Sequence, residues 1–172
     1  AALARARAEP RVDRERIAAL GFSQGGMFSL LIAAYAPDVK AVVAYYPVTD
    51  FPHWPNRESA SPPRRWSMSV VRWYFRRESG AQDDEQFEWM LRQASPYYRA
   101  DSIRASVLLV HGDSDTTAPP EESERMAARL AENGNDVQLL IVPGGVHIFN
   151  FRQYDKASSA WTETLEWLKT HL

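Results

Sequence analysis

Residues 21–25 constrain this chain more than any other stretch, because they read Gly-Phe-Ser-Gln-Gly and match the pattern G-x-S-x-G. An apolar run at residues 17–20 precedes them, and apolar residues at helical spacing follow them. A serine between a strand and a helix must occupy a sharp, strained turn if its hydroxyl is to stand clear of the strand. Glycines two positions to either side remove the Cβ atoms that would collide there. Ser23 is therefore a candidate nucleophile.

The stretch after Ser23 predicts a helix over residues 25–36. Its apolar residues recur at i, i+3, i+4 and i+7 before a proline ends the pattern: Phe28, Leu31, Ile32, Tyr35 and Pro37. The alternative interpretation is a glycine-rich turn from strand to helix whose serine has no chemical role. A nucleophilic serine needs partners, so the rest of the chain bears on this choice.

Composition predicts one globular domain without a strongly charged partner. The 172 residues are 45% hydrophobic and 24% charged, which is enough for a substantial core. Twenty Lys and Arg against 22 Asp and Glu give a net charge of -2, so nothing favours nucleic acid or an anionic membrane as partner. A small, roughly neutral substrate is the natural expectation. The absence of cysteine excludes disulfides, thiolate catalysis and cysteine-based metal sites.

Targeting signals are not visible in the sequence. No apolar run approaches the roughly 18 residues of a membrane span, and no signal peptide is visible in the residues given. The chain begins with Ala1 rather than methionine, so its natural N-terminus is expected to be missing. The compartment is unknown, and a cytoplasmic location is only weakly favoured.

Three later apolar runs predict further buried strands at residues 40–46, 106–111 and 137–142, in addition to the strand at 17–22. Near-continuous apolar runs of this length are typical of strands that a parallel sheet buries on both faces. A helix at residues 121–132, which ends at an Asn-Gly pair, is predicted between the last two strands.

A final helix is predicted over residues 154–170, with one apolar stripe made of Ala157, Trp161, Leu165 and Leu168. Strands and helices thus alternate along most of the chain. This alternation indicates an α/β fold, with a mostly parallel sheet and helices on both of its faces.

Residues 48–100 interrupt the alternation and predict a helical cap insertion. Apolar spacing indicates two helices there, containing Trp66, Val70, Val71, Trp73 and Phe75, and then Phe87, Met90, Leu91 and Ala94. Four of the six tryptophans, from Trp54 to Trp89, lie in this segment. Their side chains are expected either to form walls of a substrate pocket or to hold the cap to the sheet. The segment also has six arginines from Arg57 to Arg77, which are expected either to bind a carboxylate or to form a solvated surface.

A serine hydroxyl needs a base to take its proton and a carboxylate to orient that base. Two loops provide such residues: residues 111–115 (His-Gly-Asp-Ser-Asp) and residues 143–147 (Pro-Gly-Gly-Val-His). Each follows a predicted strand. Since parallel strands place their carboxyl ends at one edge of the sheet, both loops are expected beside Ser23.

His147 is the candidate base, because it alone occupies a glycine-flanked loop after the last strand. His53 lies at the entry to the cap, His111 at a strand end where histidine more often braces a turn, and His171 near the end of the chain. The alternative for His147 is a loop histidine without a catalytic role.

Asp115 is the candidate carboxylate, because it lies further along its loop than Asp113 and so has room to turn toward His147. Asp113 is expected to be a structural turn aspartate. The candidate catalytic residues are therefore Ser23, Asp115 and His147.

On these residues the chain resembles an α/β-hydrolase, in which Ser, Asp and His follow one another in this order. More narrowly, it resembles the catalytic domain of the prolyl oligopeptidase family of serine peptidases. The stretches that carry this resemblance are residues 16–26, 47–50, 95–96 and 108–115. Dienelactone-hydrolase-like proteins and carboxylesterases share much of the pattern. Gln24 stands where the peptidases usually have Tyr, and Ile148 where Gly is common, so peptide and ester substrates both remain open.

The resemblance implies that the chain is a partial catalytic domain: a nucleophile half (1–47), the cap (48–100) and an Asp/His half (101–172). Its four strands correspond to the last half of the hydrolase sheet, so a C-terminal portion of a longer enzyme is expected. The glycine-rich loop that usually gives a second oxyanion donor is missing. The backbone N–H of Gln24 remains, and losing one donor costs roughly 3 to 4 kcal/mol in the transition state.

The strand at 17–22 is then expected to form an unpaired apolar edge, which favours weak activity and self-association. The leading hypothesis is a serine hydrolase that forms an acyl-enzyme on a peptide or carboxylic ester. A dienelactone-hydrolase-like esterase is the first alternative, and a non-catalytic binding module with this fold is the second. No cofactor or metal is expected, because no His/Asp/Glu cluster shows ligand spacing.

Overall fold

The computed structural model describes residues 2–54 and 62–172, with side chains from residue 3 onward except those of residues 62–68 and 71. Trp66, Val71 and the first three cap arginines therefore lie outside the described side chains. Among the described residues, no helix has both the length and the hydrophobicity needed to cross a membrane.

Four parallel strands form the sheet in the simple order β1-β2-β3-β4. They are β1 (Ile17–Phe22), β2 (Val39–Tyr45), β3 (Ser106–Gly112) and β4 (Val137–Val142). All four occur where the apolar runs predict them. The register of β1 on β2 shifts by one residue between Ile17 and Ala18 and is regular from there on. Pairs near the strand ends, such as Tyr45 with Val110, align the carboxyl ends of the strands at one edge.

Alternate residues of the central strands enter two separate cores, because successive side chains in a strand point to opposite faces. In β3, Val107 and Leu109 pack with helices α2 (Gln24–Tyr35) and α5 (Glu121–Glu132) on one face. Leu108 and Val110 pack on the other face with α6 (Phe149–Arg152) and α7 (Tyr154–His171). The predicted α/β fold with helices on both faces is confirmed.

Helix α2 turns a different face to the core than its spacing suggests. Phe28, Ile32 and Tyr35 are 50%, 40% and 67% exposed, whereas Met27 and Leu30 are buried. The helix is apolar on nearly every side, so hydrophobic spacing cannot select its inner face. The inner face of α2 is instead the one whose small residues, Gly26, Ser29 and Ala33, allow close packing against β1 and β2.

Helix α7 shows the same difference. Trp161 and Leu165 of the predicted stripe are 45% and 42% exposed, while Ala160, Thr164 and Trp167 form the buried face. Thr164 is buried because its hydroxyl bonds the Ala160 carbonyl oxygen at 3.0 Å and the Tyr45 hydroxyl at 2.7 Å. A polar residue with satisfied hydrogen bonds can therefore face the core at a position that apolar spacing does not mark.

Helix α1 (Ala2–Ala8) precedes β1. Between β2 and β3, in the segment predicted to be a cap, the chain forms α3 (Pro62–Glu78), α4 (Asp84–Gln93) and a 3₁₀ helix (Pro96–Ser102). Arg72 and Arg76 of α3 pair with Glu88 and Asp84 of α4. These two arginines therefore bind carboxylates of the chain itself and join α3 to α4. They form a partly solvated face of ion pairs.

Candidate active site

Ser23 occupies the sharp turn between β1 and α2. Its backbone has φ 52° and ψ -119°, and its N–H donates to the Tyr45 carbonyl oxygen at 2.9 Å. A Cβ atom on Gly21 would lie 2.1 Å from the Gly25 carbonyl oxygen, so only glycine fits at position 21. A Cβ on Gly25 would meet nothing within 4 Å. The steric role predicted for Gly25 is therefore wrong, since the constraint lies at Gly21.

Hydrogen bonds connect Ser23, His147 and Asp115 in a single row. The Ser23 Oγ lies 3.0 Å from His147 Nε2, and His147 Nδ1 lies 2.6 Å from Asp115 Oδ2. The three residues come from the ends of β1, β3 and β4. The convergence expected from the parallel sheet thus brings the three predicted side chains together.

Asp115 is held ionised by donors on several sides. Its Oδ1 accepts the backbone N–H groups of Thr117 and Ala118 at 2.8 and 3.0 Å. Burial alone would raise the pKa of this carboxyl, but the hydrogen bonds from His111 and His147 outweigh it and lower the pKa to about 2. Asp115 is thus a permanent anion beside the imidazole across the physiological pH range.

The other histidines do not reach Ser23. His111 is fully buried, and its Nε2 donates to the Ala118 carbonyl oxygen at 2.7 Å, so it braces the loop that carries Asp115. His53 faces Glu122 at 3.7 Å, and His171 stacks on Trp167 at the end of α7.

Asp113 binds the neighbouring loop instead of a histidine. Its Oδ1 accepts the backbone N–H of Gly144 at 2.7 Å. The carboxylate thereby links the loop after β3 to the loop that carries His147.

A cavity of about 190 Å³ opens beside Ser23 and His147. Its walls are mainly apolar and come from α2, the cap and the loop after β3: Met27, Val48, Phe51, Trp54, Phe75 and Ala118. Gln24 lines the same cavity, at the first turn of α2. Of the described tryptophans in the predicted cap, Trp54 alone lines this cavity. The side chains of Trp73 and Trp89 are instead 60% and 59% exposed to solvent.

Tyr46 also contacts the site, although no sequence pattern marks it. Its ring centroid lies 4.8 Å from that of His147 at an interplanar angle of 61°. A tyrosine at a strand end before a proline is unremarkable in sequence, and only the tertiary fold brings it to the histidine. Within residues 2–54 and 62–172, no group of three or more His, Asp or Glu side chains is arranged to hold a metal ion.

A model of the prolyl oligopeptidase family matches residues 1–172, the whole of this sequence. The chain belongs to the prolyl oligopeptidase family. The resemblance drawn from the motifs around Ser23 and Asp115 is thereby confirmed. The family and the relatives below point to a serine hydrolase, either a peptidase or an esterase.

This prolyl oligopeptidase family member is similar in sequence to two kinds of named protein. It is 25% identical over 171 residues to "Acylamino-acid-releasing enzyme 2" of Oryza sativa subsp. japonica, covering 94% of this chain and 20% of the relative. It is 26% identical over 167 residues to "Putative carboxymethylenebutenolidase" of Yersinia pestis, covering 92% of this chain and 48% of the relative. The chain thus spans between a fifth and about half of these relatives.

Among solved structures, the acylaminoacyl peptidase of Pyrococcus horikoshii is similar with a TM-score of 0.80 and 21% identity. The match covers 99% of this chain and 26% of the peptidase chain. It shows that the prolyl oligopeptidase family member shares the α/β-hydrolase fold of that peptidase.

Proposed function

We propose that Ser23, His147 and Asp115 are the catalytic triad of a serine hydrolase that cleaves a peptide or carboxylic ester bond through an acyl-enzyme. The row of hydrogen bonds from Ser23 Oγ to His147 and on to Asp115 carries this proposal. Its order and distances suit a general base that is oriented by an anion.

In the first half of the reaction, Ser23 Oγ attacks the carbonyl carbon while His147 Nε2 takes the hydroxyl proton. The bond to the leaving group then breaks, and His147 returns the proton to the departing amine or alcohol. In the second half, His147 takes a proton from water, which attacks the acyl-enzyme. Release of the carboxylic acid restores Ser23 and its proton.

Asp115 supports both halves by accepting the Nδ1–H of His147, which leaves Nε2 free to accept the Ser23 proton. It also stabilises the imidazolium that forms in each half. Since the pKa of Asp115 is lowered to about 2, the carboxylate remains an acceptor throughout the working pH range.

The backbone N–H of Gln24 is the proposed oxyanion donor. Gln24 follows Ser23 and begins α2, so its amide belongs to the unsatisfied N–H groups at a helix start. An oxyanion hole usually has a second donor, and losing one donor costs roughly 3 to 4 kcal/mol in the transition state. We therefore expect low activity where the Gln24 amide acts alone.

The apolar cavity indicates an uncharged, hydrophobic group on the substrate next to the scissile carbonyl. Phe51, Trp54 and Phe75 supply aromatic walls, and none of the described residues that line the cavity is an Asp, Glu, Lys or Arg. The names of the relatives cover both an acylamino-acid-releasing enzyme and a butenolidase, so amide and ester substrates are both to be tested.

A fluorophosphonate probe tests the nucleophile, since it reacts with serines that a base activates. We expect labelling of the wild-type protein and its loss in Ser23→Ala. Ser114→Ala is the matched control, because Ser114 lies in the loop after β3 and its hydroxyl bonds Asp113, 3.0 Å away, instead of a histidine. Labelling that survives Ser23→Ala, or turnover of nitrophenyl esters that is unchanged in His147→Ala, would reject the triad.

Self-association through β1 is the second part of the proposal. Within the described part of the chain, β1 pairs with β2 alone, and Leu20 on it is 36% exposed. An open apolar edge offers backbone hydrogen bonds to another copy. We expect the sedimentation coefficient to rise with concentration and Leu20→Lys to suppress that rise. A monomer at every concentration would exclude this interaction.

A further inference from the structure

Three residues other than glycine have a positive φ in the described part of the chain, and all three lie at the proposed site. They are Ser23 (φ 52°), Tyr46 (φ 37°) and Ile148 (φ 58°). Such backbone conformations are costly for residues with a Cβ and gather where function requires a particular geometry. Ser23 is the proposed nucleophile and Ile148 follows the proposed base. Tyr46 has no role in the mechanism described above.

Tyr46 is attached to the histidine loop at two points. Its ring packs against the His147 imidazole, with centroids 4.8 Å apart, and its hydroxyl donates to the side-chain oxygen of Asn150. Asn150 lies in α6, three residues after His147. The two contacts therefore hold both the imidazole and the short helix that follows it.

The other side of Tyr46 is rigid. Its side chain is fully buried, its N–H donates to the Val110 carbonyl oxygen at 2.7 Å, and the centroid of the Phe22 ring of β1 lies 6.3 Å from that of Tyr46. Burial raises the pKa of the Tyr46 phenol, so the hydroxyl remains a donor to Asn150 at any working pH. A fixed part of the sheet thus supports a loop that has little regular structure of its own.

We infer that Tyr46 is a positioning residue for His147, and that Asn150 is the second attachment through which it acts. This inference rests on the proposed role of His147 as general base. The hydrogen bonds to Ser23 and Asp115 hold the two ring nitrogens, whereas Tyr46 restrains the ring from a third direction. Loss of that restraint leaves the imidazole free to tilt out of line with the Ser23 hydroxyl.

Two substitutions remove the same hydrogen bond from opposite ends. Tyr46→Phe keeps the ring and removes the hydroxyl, and Asn150→Ala removes the acceptor on α6. Tyr45→Phe is the matched control: Tyr45 is adjacent and equally buried, but its hydroxyl bonds Ala160 and Thr164 of α7. It has no ring contact with His147 among the described residues.

With nitrophenyl ester as substrate, we expect kcat to fall about tenfold in Tyr46→Phe and in Asn150→Ala, because small displacements of a catalytic group slow the reaction strongly. KM should stay within about twofold, since neither residue lines the cavity. The double variant should be no slower than either single variant, because both remove one interaction. Tyr45→Phe should lower Tm and leave kcat unchanged.

The inference is overturned if kcat is unchanged in both single variants, if KM changes instead, or if the two losses multiply in the double variant. Should Tyr46→Phe fail to fold, Asn150→Ala decides alone, because its side chain is only partly buried in the four-residue α6. Ser23→Ala is measured in the same assay. Turnover that persists in Ser23→Ala rejects the proposed function, whereas turnover that needs Ser23 but neither Tyr46 nor Asn150 rejects this inference only.

Discussion

Gly112 and Gly145 contact each other backbone to backbone where β3 and β4 end. A Cβ atom on Gly112 would lie 2.1 Å from the Gly145 carbonyl oxygen, and that oxygen also accepts the Ser114 N–H at 3.0 Å. The two loops that meet here carry Asp115 and His147. Their close approach therefore sets the separation between the carboxylate and the imidazole.

We predict that Gly112→Ala reduces esterase activity by about a hundredfold, because the loops must move apart to accept the methyl group. Circular dichroism should show a lower Tm with the same helical content. Gly25→Ala is the control, since its added methyl group meets nothing and lies in a helix, where alanine is more stable than glycine by about 1 kcal/mol. Equal activity in the two variants would contradict the role of the contact.

Asp115→Asn should lower kcat by about ten-thousandfold if Asp115 orients the imidazole, because an amide can donate to Nδ1 and favour the wrong tautomer. KM should change little, since Asp115 does not line the cavity. Asp113→Asn is the comparison, because its oxygen accepts a backbone N–H that an amide oxygen can also accept. A similar loss of kcat in both variants would indicate damage to the loops rather than to the triad.

The lowered pKa of Asp115 predicts how acid destabilises the fold. Its pKa falls from an ordinary 3.8 to about 2 in the folded state, so the ionised carboxylate contributes stability that is present above pH 4 and lost as pH falls toward 2. At about 1.4 kcal/mol per pH unit, the loss is on the order of 2 kcal/mol. Urea unfolding of wild type and Asp115→Asn between pH 2 and 5 measures it. Parallel stability curves would contradict the prediction.

Glu122 should have the opposite pH dependence. It is 1% exposed, its Oε2 accepts the N–H groups of Thr49 and Asp50, and its Oε1 has no hydrogen-bond partner among the described residues. Burial raises its pKa, so the stability present below its ordinary pKa of 4.5 is lost as pH rises through the folded value. The ionised form is thus the costly one.

Glu122→Gln should therefore raise the free energy of unfolding at pH 7 by about 1 kcal/mol, because the amide keeps the acceptor and presents an N–H toward His53. The gain should disappear below pH 4.5, where Glu122 is protonated in both states. Glu124→Gln, an exposed change in the same helical turn, is the control and should show no such gain. Destabilisation by Glu122→Gln at pH 7 would contradict this account.

Phe75 offers a test of substrate size. It lines the cavity beside Ser23, whereas Trp73 in the same helix is 60% exposed and does not. Phe75→Ala should raise KM for nitrophenyl esters with a bulky apolar acyl chain by about tenfold, through lost apolar contact. The acetyl ester should be affected little. Trp73→Ala should leave both KM values unchanged, and a matching increase there would show that the cavity wall is not responsible.

The sheet could be predicted from sequence because each strand carries its own signal, a short apolar run that ends in turn residues. The helical faces of α2 and α7 could not. In α2 nearly all sides are apolar, and in α7 the buried position of Thr164 depends on the hydroxyl of Tyr45. Which side faces the core is a property of the neighbouring element and not of the helix alone.

The candidate site divides in the same way. The meeting of Ser23, Asp115 and His147 could be predicted, because the order of parallel strands brings their three loops to one edge and the chemistry of acyl transfer restricts the residue types. Tyr46 and the contact between Gly112 and Gly145 were not, because each depends on a distance between backbones that are far apart in sequence. The chain alone determined which chemical groups meet. Only the packed structure decided what holds them at bonding distance, since steric fit arises between segments rather than within them.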